Sequence, residues 1–152
     1  MLDDDQVTRN FTLSEFCNSD TAVRLGIDNT PPPMVVGNLR NVLLPGMQAV
    51  RDLLGTPIFI KSGYRCSLLN MAVKGSPSSD HVTGNAADFV APQFGTPHDI
   101  CASLVRQMAD LKFDQLIYEG GWVHISFSAR RRNQVLTAHF EPGGVRYTQG
   151  LA

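Results

Sequence analysis

What is scarce in this sequence excludes several classes at once. Cysteine occurs at Cys17, Cys66 and Cys101 only, an odd and scattered set without a Cys-x-x-Cys spacing. Neither a disulfide framework nor a thiolate metal knuckle is indicated, and free thiols are expected. No apolar run approaches the roughly 18 residues of a membrane span. The start, Met1-Leu2-Asp3-Asp4-Asp5-Gln6, is acidic where a secretory signal would be basic and then apolar. The expectation is a soluble chain made in the cytoplasm. Neither charge sign is in excess: 13 Lys and Arg stand against 14 Asp and Glu, a formal charge of -1. No overall field therefore draws the molecule to nucleic acid or an anionic membrane. Internal repeats, low-complexity segments and flexible linkers are also missing. The 152 residues read as one domain, 1–152, long enough to bury a core without disulfide or metal staples.

What is present is punctuated clearly. Thr12-Leu13-Ser14-Glu15 has the capping-box pattern and predicts a short helix. Ser19 or Asp20 can cap a second helix running to Arg24 or Leu25 and stopping at Gly26, before a rigid loop from Asp28 to Pro33. From Met34 to Leu54, Val35, Leu39, Val42, Leu43, Met47, Val50 and Leu54 recur at helical spacing, which predicts the main core helix, kinked at Pro45-Gly46. Pro57 to Lys61 reads as a short buried strand. The polar turn Ser62-Gly63-Tyr64-Arg65 and a short helix through Leu68, Leu69 and Met71 follow. Thr96-Pro97-His98-Asp99 starts another helix, with Ile100, Leu104, Met108 and Leu111 as its expected buried stripe. Phe113 to Glu119 and Trp122 to Phe127 predict two strands joined around Gly120-Gly121. Val135 to Phe140 and Gly144 to Tyr147 predict two more, turned by Pro142-Gly143.

The chemistry concentrates in two stretches. Ser79-Asp80-His81-Val82-Thr83-Gly84-Asn85-Ala86-Ala87-Asp88 puts an imidazole on a tight turn and a carboxylate on the strand that follows. Trp122-Val123-His124-Ile125-Ser126 puts a second imidazole inside an alternating strand. Asp88, among small and apolar neighbours, needs a cation, a metal or hydrogen-bond donors to offset its desolvation. An arginine partner or a metal would serve. Two histidines and an aspartate match the three protein ligands of a catalytic zinc site, which keeps its fourth position for water. A domain of this size needs no metal to fold, so zinc here points to chemistry. His98 and His139 lie outside the pattern and read as surface or packing residues. Cys66 reads as a small core residue, and Arg130-Arg131-Arg132 as a solvated turn.

Ser79-x-His81-x-x-Gly84-x-Ala86-x-Asp88 followed by Trp122-x-His124-x-Ser126 resembles the signature of the zinc D-alanyl-D-alanine carboxypeptidase family. Its relatives include vancomycin-resistance D,D-dipeptidases, phage endolysins that cut peptidoglycan stem peptides and, by shared fold, the Hedgehog signalling domain. The likeness also takes in Phe11 to Phe16, Ser62 to Arg65, Asn70 and Phe113 to Ile117, so it spans about residues 11–128. It implies a single α+β domain with a small, mainly antiparallel sheet and flanking helices.

Residue by residue, the resemblance implies His81, Asp88 and His124 as zinc ligands and Arg65 as the cation that holds a substrate carboxylate or steadies the developing oxyanion. An ion pair with Asp80 or Asp88 is the other reading of Arg65. Ser79 would orient His81 or the substrate, and Trp122 would pack beneath the site or shape the groove. Many family members carry a carboxylate three residues before the last zinc histidine, where this chain has Gly121. Glu119 takes the general-base role instead, with Asp114 as the alternative. The implied activity is hydrolysis of an amide in the peptide stem of peptidoglycan, by a monomer with Zn2+ as cofactor and without a nucleic-acid partner. D-Ala-D-Ala cleavage, L-Ala-D-Glu cleavage and a non-catalytic zinc-binding module all remain open. A phage or prophage lysin released to the wall through a membrane lesion is the expected context.

Overall fold

Ser19 accepts a hydrogen bond from the Ala22 amide at 3.1 Å and starts α1 (Asp20–Leu25), which ends on left-handed Gly26 as its pattern predicts. The structure, a computed structural model, describes residues 5–152. The acidic start at Met1–Asp4, on which the expectation about signals rests, lies outside the described residues. Just before α1, Thr12 and Glu15 exchange backbone-to-side-chain hydrogen bonds of 2.9 and 3.4 Å around a single 3-10 turn, Ser14–Phe16.

The core helix departs from its expected form in an informative way. It runs as α2 (Pro33–Asn38), a π-helical turn (Leu39–Leu43) and α3 (Leu44–Leu54). Pro45 has no N–H to give the carbonyl four residues back, and the Leu44 amide reaches five residues back to Leu39. The expected kink at Pro45-Gly46 is thus replaced by a wider turn immediately before it. Gly46 has a packing role: a Cβ there would lie 2.6 Å from the Phe127 ring. Leu39, Leu43, Leu44, Met47 and Val50 are fully buried against the sheet.

The remaining elements are β1 (Phe59–Ser62), α4 (Ser67–Ala72), β2 (Ala86–Val90), α5 (Pro97–Arg106), α6 (Met108–Leu111), β3 (Gln115–Tyr118), β4 (Val123–Ser126), β5 (Gln134–Glu141) and β6 (Gly144–Gln149). The sheet order is β1-β2-β4-β3-β5-β6, antiparallel throughout except for β3 beside β5. This is the α+β domain with a mainly antiparallel sheet that the sequence implies. Two local expectations need correcting. β1 is an edge strand, so Phe59 is half-exposed and only the preceding Ile58 is buried. The stripe after Thr96 breaks at Gln107, where α5 stops and the short α6 begins, leaving Met108 partly exposed. Thr96 and Asp99 do close a full capping box at the start of α5.

Candidate metal centre and its cleft

β2 and β4 pair with Asp88 directly opposite His124, and β3 places Ile117 on the other side of His124. Directly paired residues share a sheet face, so the carboxylate and the strand imidazole meet without any long-range adjustment. His81 arrives from the turn before β2. Its Nδ1–H donates to the Gly63 carbonyl at 2.7 Å, which leaves Nε2 as the lone-pair nitrogen, 3.3 Å from Asp88 Oδ1. His124 Nδ1 lies 2.9 Å from the same carboxylate oxygen, and the two rings are 5.1 Å apart. One ligand atom from each residue falls within 4.8 Å of the others.

This arrangement fits a metal ion on its own chemistry. An unprotonated ring nitrogen held towards a carboxylate is two acceptors facing each other, and a cation between them turns that repulsion into coordination. The Gly63 carbonyl fixing the His81 tautomer is the usual outer support of a ligating imidazole. Both rings and the carboxylate are largely buried. Burial pushes the His81 imidazole pKa down, keeping it neutral. Burial alone would raise Asp88, but the two imidazoles outweigh it and hold the carboxyl far below the usual range. Burial likewise opposes charge on His124, but the hydrogen bond and charge of Asp88 more than offset it and raise its pKa.

Gly63 itself admits little change. A Cβ there would lie 2.7 Å from Phe16 Cα, and the neighbouring Tyr64 amide bonds to the Phe16 carbonyl at 2.6 Å. Gly63→Ala is therefore expected to cost about 1–3 kcal/mol through backbone displacement, read as a fall in Tm of roughly 2–4 °C per kcal/mol. Because the displaced carbonyl is the one that holds His81, the same variant should also bind metal more weakly in a titration.

The trio lines a cleft of about 600 Å³ that also contains Arg65, Ser79, Glu119 and Trp122. These seven residues singled out in the sequence are thus brought to one cavity, whereas Asp114, the alternative base, is not among its lining. Glu119 opens the tight β3–β4 turn: Gly120 takes the left-handed conformation, and the Glu119 amide bonds to the Trp122 carbonyl at 3.1 Å. Burial, followed by the charge of Asp88, raises its carboxyl pKa; His124, Trp122 and Arg65 pull it part of the way back. The buried indole N–H of Trp122 has no hydrogen-bond partner of ordinary geometry among the described residues. Burial also lowers the Arg65 pKa, against the charges of Asp88 and Glu119, and its buried Nε is without a hydrogen-bond partner among the described residues. Ser79 Oγ accepts from the His81 amide at 3.2 Å. His98 and His139 bond elsewhere, to the Ala152 carbonyl and Thr148, and are not part of the trio. Cys66 caps α4 through its sulfur, and all three cysteines are free. Burial raises Cys17 to about 11 and Cys101 to about 12, so both are inert thiols at neutral pH.

Three supports were not legible in the sequence. Asn29, in the loop expected only to be rigid, donates to the Cys17 and Tyr64 carbonyls at 2.9 and 3.0 Å and accepts from the Cys66 amide at 2.8 Å. It holds the turn that carries Arg65. Arg130 bonds both oxygens of Asp80, at 2.9 and 2.7 Å, and reaches Asp114 at 2.9 Å. Arg132 makes a two-pronged pair with Asp114 at 2.9 and 3.0 Å. The arginine run, expected as a solvated turn, thus ties the His81 loop to β3. Thirdly, Phe140, Val145 and Tyr147 of the last hairpin line the cleft.

Asp114 is fully buried and is ion-paired with Arg130 and Arg132. Burial raises its pKa, but the hydrogen bonds from Arg132 and the charge of Arg130 prevail and hold it low. A carboxyl lowered in the folded state stabilises above its unfolded pKa of about 3.9 and loses that contribution as pH falls through the folded value. Asp114→Asn should cost about 1.5–3 kcal/mol at pH 7, the range for hydrogen bonds to a charged group. Urea unfolding should show the gap between variant and wild type closing below about pH 4.

Comparison with known families agrees with this geometry: the profile described as peptidase M15 matches residues 9–126. The chain is a member of the peptidase M15 family. That makes it a metallopeptidase of the class that acts on peptidoglycan-type substrates, with a His-Asp-His group that can bind a metal. No curated protein matches the chain. Among the described residues no helix is long and apolar enough to cross a membrane.

Proposed function

We propose that this M15 peptidase is a zinc enzyme that hydrolyses an amide bond in the peptide stem of bacterial cell wall, in the manner of a D-Ala-D-Ala carboxypeptidase. The observation that carries the reading is the convergence of His81, Asp88 and His124 with Glu119 and Arg65 in one cleft. Zinc held by such a trio supplies a Lewis acid that brings water ionisation near neutral pH.

The chain's own groups do the rest. Glu119, with its raised pKa, takes a proton from the attacking water and returns it to the leaving amine. Arg65 has an Nε without a partner among the described residues and a fixed fork of donors for a substrate carboxylate or for the oxyanion of the tetrahedral intermediate. Ser79 steadies the His81 backbone, and Trp122 forms part of the cleft wall. No covalent enzyme intermediate is needed.

One observation favours a second reading. Arg65 and Val73 also line a neighbouring cavity of about 560 Å³, bounded by Glu15, Asp20 and Lys61. A groove that continues past Arg65 has room for substrate on both sides, as cleavage between L-Ala and D-Glu would require. Purified cell wall should be digested and the new amino and carboxyl termini identified by mass spectrometry. New D-Ala carboxyl ends with free D-Ala support the first reading; new D-Glu amino ends support the second. Wild-type protein that binds zinc tightly and leaves wall from every plausible host intact would instead identify a non-catalytic module. A monomer delivered to the wall as a phage or prophage lysin fits the proposed activity.

A further inference from the structure

The match to the M15 family stops at residue 126, whereas the hairpin of β5 and β6 begins at Gln134 and ends at Gln149. Sheet register nevertheless carries the metal-site face into this last hairpin. Asp88 pairs with His124, His124 with Ile117, and Ile117 with Leu136. Strand alternation then puts Leu136, Ala138 and Phe140 on that same face. Across β6, Ala138 stands opposite Tyr147 and Phe140 opposite Val145. Ile117, Leu136 and Ala138 form a small buried cluster between the trio and the hairpin tip.

Beyond that cluster, apolar surface is left open. Phe140, Val145 and Tyr147 are 58, 45 and 52 % exposed, all three facing the cleft. The Trp122 ring extends the same surface, with its centroid 5.9 Å from that of Phe140. The lining of the cleft also has a polar part, Arg65 and the serines of the loop before His81. Burial, and then the charges of Glu119 and Asp88, raise the Tyr147 phenol, so near neutral pH it is an uncharged donor beside the site. Contiguous exposed apolar surface beside a reactive centre marks a place where ligand is bound.

We infer that the β5–β6 hairpin is the specificity wall of the cleft: Trp122, Phe140, Val145 and Tyr147 receive an apolar side chain flanking the scissile amide, while the polar lining at Arg65 takes polar and anionic groups. The inference rests on the stem-peptide reading of the substrate, in which that apolar side chain is alanine.

Trp122 is the sole tryptophan, so its fluorescence reports occupancy of this wall. The test titrates the zinc-loaded Glu119→Gln protein, which holds peptide uncut, with a synthetic stem pentapeptide. The same titration is run with peptides in which serine of matching chirality replaces alanine on either side of each candidate bond. One alanine peptide should bind about tenfold more tightly than its serine counterpart, the scale on which an apolar pocket discriminates. Phe140→Ser and Tyr147→Ser, both at exposed positions, should erase that preference with metal content and Tm unchanged. Val145→Ser serves in the same way if either of them fails to fold. A preference that survives in the hairpin variants, or an absence of any fluorescence change, overturns the assignment. Wild-type protein that shows the preference yet cuts no wall peptide refutes the proposed activity and leaves the hairpin assignment standing. Cleavage of alanine and serine peptides with equal KM does the reverse.

Discussion

Glu119→Gln is expected to lower kcat for wall-peptide hydrolysis by about 10²–10⁴-fold, the usual contribution of a positioned acid-base group. Metal content should stay at the wild-type level, because Glu119 is outside the His-Asp-His group. The substitution keeps the shape of the side chain, and the backbone hydrogen bonds of the Glu119–Trp122 turn do not involve the carboxylate, so the loss is chemical in origin. Stability supplies an independent check with a definite sign. A carboxyl whose pKa is raised on folding is bound to its proton more strongly in the folded state. Stability therefore falls as pH rises from the unfolded value of about 4.3 through the folded one. Glutamine removes that penalty, so the metal-free variant should be at least as stable as wild type at pH 7. A rate within tenfold of wild type would remove Glu119 from the base role. Asp114 is a poor replacement on the geometry, being fully buried and engaged by Arg130 and Arg132.

Asp88→Ala is expected to abolish both metal binding and hydrolysis. Loss of an outer support costs about 10–100-fold in metal affinity, so loss of a ligand should cost more than 100-fold. The substitution also leaves His81 and His124 facing each other across 5.1 Å without the group that joins them. Adding zinc to wild type at a hundred times its Kd should stabilise the fold by about 2.7 kcal/mol, and the variant should gain nothing. Thermal unfolding with and without zinc checks this directly. In the metal-free wild type, the depressed Asp88 carboxyl stabilises above about pH 3.9 and this contribution is lost on acidification through its folded pKa. Asp88→Ala should lack that part of the acid sensitivity. Equal zinc responses in the two proteins would refute the ligand assignment.

The two predictions depend on different kinds of information. Part of the trio was legible because the His81-to-Asp88 spacing is short-range, and His124 was pointed to by the family resemblance. His81 and Asp88 are linked by one turn and the start of one strand, and strand alternation fixes the face on which His124 lies. Capping by Ser19 and by Thr96 was legible for the same reason, since a cap is satisfied within three residues. The π turn was missed because proline rules say that a helix is disturbed without saying how the backbone absorbs the disturbance. The partial exposure of β1 was missed because an apolar run reads alike in a central and an edge strand.

By itself, then, the sequence determined most helix ends, which follow from patterns repeating over a few residues, and through its family resemblance it pointed to the α+β class and to His81, Asp88 and His124 as a group that could hold a metal. Only the tertiary structure decided that Arg130 clamps Asp80 and Asp114, that Asn29 latches the Arg65 turn, and that the final hairpin shares the metal-site face. Those facts depend on strand order and on contacts between segments far apart in the chain. Hydrophobic periodicity carries the face of each strand but not the identity of its neighbour, so only the folded sheet could join them.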